Sequence, residues 1–196
     1  MNNHIKSVCV YCGSSNTVAQ EYKDAAFNLG KILVKNNLRL VYGGGQVGLM
    51  GIISNSVMDA GGEVLGIIPR YLHEYEGGHF GITELRLVST MHERKEQMFE
   101  NSDAFVVLPG GFGTLDEICE VITWRQIRLH QKPIIFADVN GYWKGLFSDF
   151  VDHMIAEKFV NPDHKDFYII TENFEEIPGL ISDMYVSAPE FVQELS

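Results

Sequence analysis

Positive charge is scarce in this chain: 15 Lys and Arg stand against 26 Asp and Glu, a formal net charge of −11 over 196 residues. A nucleic-acid backbone is held by clustered Lys and Arg, so that class of partner is excluded. Long apolar runs are missing as well. No stretch approaches the roughly 20 residues that span a bilayer, so no membrane partner is expected. The N-terminus enters an apolar segment at Ile5 without the basic and apolar regions of a signal peptide. Cysteine is sparse, with three in the chain, too few for a disulfide framework. Cys9 and Cys12 form a C-x-x-C inside an expected strand, where a spacing of three puts them on opposite faces. A redox pair would open a helix, and a zinc site would need two more ligands nearby. Both thiols are therefore read as buried and structural, and the expected compartment is the cytosol. The histidines are scattered without metal-ligand spacing, so no metal is expected. The sequence G-x-x-x-x-G-K-[ST] does not occur, which excludes phosphoryl transfer of the P-loop type.

What is present is a regular alternation. Apolar runs rich in Val and Ile at residues 5–11, 39–42, 64–68, 84–89, 104–108, 133–136 and 167–170 read as strands covered on both faces. Helical patterns at 18–35, 48–59, 92–101, 115–129, 142–157 and 174–183 fall between and after them. This order predicts an α/β fold, a Rossmann-like, doubly wound parallel sheet of about seven strands with helices on both faces. With 45% hydrophobic and 21% charged residues, residues 1–196 read as one nucleotide-binding catalytic domain, the last dozen forming a loose tail.

Ligands of such sheets bind at the carboxyl ends of the strands, where three glycine-bearing loops fall. The first holds Gly13 and Ser14 and the second runs from Gly43 through Gly44 and Gly45 to Gly51. The third is Pro109-Gly110-Gly111-Phe112-Gly113-Thr114-Leu115-Asp116-Glu117. In the third, a strand that breaks at Pro-Gly-Gly and restarts as a helix offers free N–H groups and a favourable dipole to an anion. Glu117, read as lying in the first helical turn, puts a carboxylate on the rim of that anion site, which points to chemistry on a phosphorylated ligand. Ser14 and Ser15 are suited either to capping a helix or to binding phosphate. The second loop fits G-x-G-x-x-G, but no acid ends the following strand to hold a ribose hydroxyl, and Glu63 stands at that strand's start, so a dinucleotide site is not expected. Met91-His92-Glu93-Arg94-Lys95 opens the helix after the fourth strand, where Arg94 offers a planar fork and Lys95 a compact charge to the same edge. Trp124, Phe112 and Met98 are read as core or subunit-interface residues.

Taken together, Gly43-Gly44-Gly45-x-x-Gly48-Leu49-Met50-Gly51, Met91-His92-x-Arg94-Lys95 and Pro109-Gly110-Gly111-x-Gly113-Thr114-x-x-Glu117 resemble the LOG (Lonely Guy) family. Members are cytokinin riboside 5′-monophosphate phosphoribohydrolases that have often been labelled lysine decarboxylases. The resemblance implies cleavage of the N-glycosidic bond of adenosine 5′-monophosphate or its N6-modified forms, no cofactor, and a homodimer or larger oligomer. It implies Arg94 and Glu117 as the essential pair and the stretch from Gly111 to Glu117 as substrate-binding. Lys95, Thr123 and Glu76 stand around that stretch, with Met91 and Gly110 from within the two motifs. Asp116 stands where many members carry a glutamate, and Arg125 and Arg128 flank Gln126. These departures bear on substrate choice and the subunit interface more than on the reaction.

Overall fold

The computed structural model describes residues 5–187, with Glu76 described by its backbone alone. Seven strands form one sheet in the order β4-β3-β2-β1-β5-β6-β7. They are β1 (Ser7–Tyr11), β2 (Arg39–Tyr42), β3 (Val64–Pro69), β4 (Glu84–Val88), β5 (Ala104–Val107), β6 (Ile134–Ala137) and β7 (Ile169–Thr171). Every pairing is parallel, with Val8 opposite Leu40 on one side and Ala104 on the other. The order reverses at β1, so a crevice opens beyond the carboxyl ends of β1 and β5.

Among the described residues seven α-helices connect or follow the strands: α1 (Gln20–Lys35), α2 (Gly48–Asp59), α3 (Arg70–Glu76), α4 (Met91–Glu100), α5 (Phe112–Gln126), α6 (Asp149–Ala156) and α7 (Ile177–Ser187). Strand side chains alternate between the two faces, and each set has its own cover. Val8, Val10, Leu40 and Val106 pack with Leu29 and Leu33 of α1, Ile53 of α2 and Ile181 of α7. Cys9, Tyr11, Phe105 and Phe136 pack with Met98 of α4, Ile118 of α5 and Val151 of α6. Cys9 and Cys12 fall in the two different clusters, as their spacing predicts, and burial pushes both thiols well above their ordinary range. Each fully buried Leu, Ile or Phe contributes roughly 1.5–3 kcal/mol.

Four local expectations change. The helix expected from residue 115 starts at Phe112, three residues earlier, so Glu117 lies in its second turn and not in the first. The helix expected over 142–157 opens at Tyr142 and Trp143, passes through a wider π-type segment, Lys144–Ser148, and is regular again from Asp149. α3 was not anticipated, because seven residues directly after a proline carry little periodicity. The expected tail is helical at residues 185–187, and the rest of it lies outside the described residues.

Candidate active site

The three glycine-bearing loops meet at the crevice and are bonded to one another. Gly13 N–H donates to the Pro109 carbonyl at 3.1 Å, and Leu49 N–H donates to the Gly13 carbonyl at 3.0 Å. Asn16 Oδ1 accepts from Gly48 N–H at 2.8 Å. Neither Ser14 nor Ser15 caps α1, which starts five residues later behind Ala19 without a side-chain cap. Ser14 instead faces a cleft of about 300 Å³ that it shares with Gly13, Arg94, Gly111, Thr114 and Glu117, and with the apolar side chains of Val10, Met50 and Leu72.

Arg94 reaches this cleft because of how α4 begins. Thr90 Oγ1 accepts from Glu93 N–H at 3.1 Å, and the Glu93 carboxylate accepts from Ser89 N–H at 2.7 Å. This reciprocal cap fixes the helix start, and Arg94 closes the first turn with its side chain inward. The guanidinium is held at three points. Its Nε donates to the Ile67 carbonyl at 3.1 Å and its Nη2 to the Gly43 carbonyl at 3.2 Å. Its Nη1 lies 3.1 Å from Glu117 Oε1. A Cβ on residue 43 would sit 1.8 Å from Nη2, so only glycine leaves room for the cation against the backbone.

Glu117 and Arg94 are both buried, with side chains about one-tenth exposed. Burial raises the Glu117 carboxyl above its usual range, the Arg94 charge pulls it back in part, and Asp116 adds a further push upward. The immobilised cation beside this carboxylate is the largest influence favouring its ionised form, against the larger effect of burial. Glu117 lines the cleft from the second turn of α5, one turn beyond the position expected from the sequence.

The remaining expected residues divide by position. Gly111, Phe112, Gly113 and Thr114 line the cleft at the start of α5, with Thr114 buried and Phe112 92% exposed. Gly110 supports them from the preceding turn, where the Thr114 hydroxyl fills the space a Cβ would need. Gly44 and Gly45 lie behind the cleft wall: the Gly44 carbonyl accepts from His79 N–H, and Gly45 bridges to Gly78. Leu115 packs into the core, and Asp116 turns toward α4. Lys95 lies outside the cleft lining; its Nζ sits 3.2 Å from Asp116 Oδ2 and 3.2 Å from Glu120 Oε2. Burial alone would lower the Lys95 ammonium, but these two carboxylates outweigh it and hold it above its ordinary range. Met91 is half-buried at the first position of α4, and Thr123 is exposed, its hydroxyl donating to the Cys119 carbonyl. Glu76 ends α3, and its side chain lies outside what is described. Met98 is buried, Trp124 stands edge-on to Phe99, and Phe112 belongs to the cleft mouth, not the core.

Five residues of the cleft lining are not among the expected site residues. Val10 and Cys12 read as strand and core, and Leu72 lies in an element with no chemical motif of its own. Met50 reads as part of a glycine motif without a role of its own, and Gly43 reads as one glycine of a turn until Arg94 is seen lying across it.

The family described as "Possible lysine decarboxylase" matches residues 50–181. Cytokinin riboside 5′-monophosphate phosphoribohydrolase LOG3 of Arabidopsis thaliana is 44% identical over 172 residues, which is 88% of this chain and 80% of that protein. LOG1 of the same plant, which carries the same enzyme name, is 42% identical over 192 residues, 98% of this chain and 89% of that protein. Among solved structures, the molybdenum cofactor binding protein of Rippkaea orientalis matches with a TM-score of 0.70 at 18% identity, covering 93% of this chain and 98% of that one. The last likeness is one of fold.

Proposed function

The chain belongs to the LOG family of cytokinin riboside 5′-monophosphate phosphoribohydrolases, and on that premise we propose that it hydrolyses the N-glycosidic bond of adenosine 5′-monophosphate and its N6-modified forms. The products are the free adenine-type base, an active cytokinin where the N6 group is present, and ribose 5-phosphate. The observation that carries the site assignment is the buried Arg94–Glu117 pair, which lines one cleft together with the glycine-rich start of α5.

The chemistry follows from that arrangement. The first N–H groups of α5 have no preceding turn to bond and favour the 5′-phosphate. As the C1′–N9 bond breaks, its electron pair leaves with the base and positive charge develops on the ribose. The ionised Glu117 carboxylate stabilises that charge and orients the water whose oxygen attacks C1′, and the proton this water loses balances the one the departing base gains. Burial raises the Glu117 carboxyl, and the Arg94 charge opposes that rise and favours the ionised form. Fixed by two backbone carbonyls, the guanidinium does not have to leave Glu117 when a phosphate arrives.

The decarboxylase description attached to the family draws no support from the cleft. Among the described residues lining it there is no lysine, the group that would form a Schiff base with a pyridoxal cofactor. The proposal extends to residues 1–196 as one catalytic domain, acting as a cytoplasmic homodimer without a cofactor. Sedimentation should give twice the chain mass of 22.1 kDa.

Chromatography of reactions with AMP, N6-isopentenyl-AMP and the matching nucleosides tests the reading. Free base released from the monophosphates and not from the nucleosides supports it. No base from any of them would leave a nucleotide-binding protein in its place.

A further inference from the structure

Tyr142 does not line the cleft, yet its hydroxyl reaches the loop that forms the cleft's anion-binding wall. Its Oη donates to the Gly110 carbonyl at 2.7 Å. The ring is held edge-on to Tyr22 at 5.9 Å and to Trp143 at 5.0 Å between centroids. Trp143 is itself fixed. Its Nε1–H donates to the Val107 carbonyl at the end of β5 at 3.1 Å, and its backbone N–H donates to Asp138 Oδ1 at 2.8 Å. The turn after β6 makes this possible: Asn140 and Gly141, at φ of 54° and 74°, are both left-handed and bring the two aromatic residues back beside β5.

In a trans peptide the C=O and the following N–H point in opposite directions. Holding the Gly110 carbonyl on Tyr142 therefore sends the Gly111 N–H the other way. Gly111 faces the cleft and Tyr142 does not, so that N–H joins the bond-free N–H groups at the start of α5. A peptide between two glycines is the one most free to flip, because neither residue resists positive φ. Flipped, it would aim a carbonyl oxygen at the phosphate in place of a donor.

We propose that Tyr142 is a positioning residue for the nucleotide's phosphate, its hydroxyl locking the Gly110–Gly111 peptide with the N–H toward the cleft. The proposal rests on the reading of the cleft as a nucleoside 5′-monophosphate site and adds a residue from outside the cleft. It concerns phosphate affinity and leaves the bond-breaking step to Arg94 and Glu117.

Tyr142→Phe keeps both ring contacts and removes only the donor. The KM for AMP should rise about tenfold, as for the loss of one hydrogen bond on a charged ligand, with kcat changed much less. Competitive inhibition by inorganic phosphate should weaken by a similar factor, and so should AMP affinity measured by calorimetry. The Tm should stay within about 4 °C of the wild type. Wild-type KM, phosphate inhibition and AMP affinity in the variant would overturn the proposal. So would a fall in kcat at unchanged KM, or a variant that fails to fold, since each would make the hydroxyl's role something other than phosphate positioning. Calorimetry separates this from the catalytic reading. Wild-type protein that binds AMP without cleaving it would sink the reaction, while weaker binding by Tyr142→Phe would still support the clamp.

Discussion

Arg94 and Glu117 stand 3.1 Å apart, both buried at the wall of the cleft, brought together by two helices that follow different strands of the sheet. The arginine is fixed independently of the glutamate by the carbonyls of Ile67 and Gly43. The cation is thus part of the scaffold, and the carboxylate is the member free to respond to a ligand.

The pair fixes the sign of a pH effect. Burial raises the Glu117 carboxyl above its usual range and Arg94 opposes that rise. Activity that needs the ionised form therefore grows as pH passes through the raised value, and the acid limb of kcat/KM should lie above the ordinary carboxylate range. Arg94→Gln removes the opposing charge, so in whatever activity remains the limb should move to still higher pH. A limb unmoved or shifted downward would separate Arg94 from the ionisation of Glu117. For stability the sign is reversed. A raised carboxyl binds its proton more tightly folded than unfolded, so its contribution falls as pH climbs from the unfolded value through the folded one.

Gly43 tests whether the arginine's place matters as well as its presence. A methyl group there would overlap Nη2, with 1.8 Å between Cβ and nitrogen. Gly43→Ala should displace the guanidinium and lower kcat/KM about 100-fold, the usual cost of moving a catalytic group by about an ångström. Circular dichroism should show an intact fold, and wild-type kinetics would mean that the guanidinium tolerates another position.

His130 predicts acid sensitivity. Its Nε2 bonds the Val121 carbonyl and its Nδ1 accepts from Lys132 N–H, a pattern that needs the neutral ring. Burial pushes it down to about 4 from an ordinary 6.5. The unfolded chain takes up the proton first, so this stability is complete above pH 6.5 and is lost as pH falls toward 4. The full effect is about 3 kcal/mol at most. Urea denaturation of His130→Gln should show a shallower loss between pH 7 and 4.5 than the wild type, and equal slopes would remove the residue from the acid response.

Lys95 separates the sequence expectation from the structure. Its ammonium lies between Asp116 and Glu120 on the flank of α5. Lys95→Met should therefore lower the Tm while leaving the KM for AMP within about threefold, under 1 kcal/mol of binding. A much larger rise in KM would return the lysine to the substrate.

The parallel sheet was legible because its strands are covered on both faces and read as continuous apolar runs, each followed by a helical period. Arg94 and Glu117 were legible through their motifs. The place of Glu117 in the second turn was not. Phe112-Gly113-Thr114 reads as loop by composition, and a helix start moved by three residues puts Glu117 one turn further along the helix. Contacts such as Gly43 with Arg94, or Tyr142 with Gly110, join residues 51 and 32 positions apart, and nothing in local spacing records them.

The most direct measurement is to compare wild type and Glu117→Gln on AMP, with turnover followed by free adenine and binding followed by calorimetry. The variant should bind AMP with affinity close to the wild type and turn it over about 100-fold more slowly or worse, the range expected for loss of a carboxylate at the reacting centre. A folded Glu117→Gln that releases adenine at near the wild-type rate would contradict the role assigned to the buried pair.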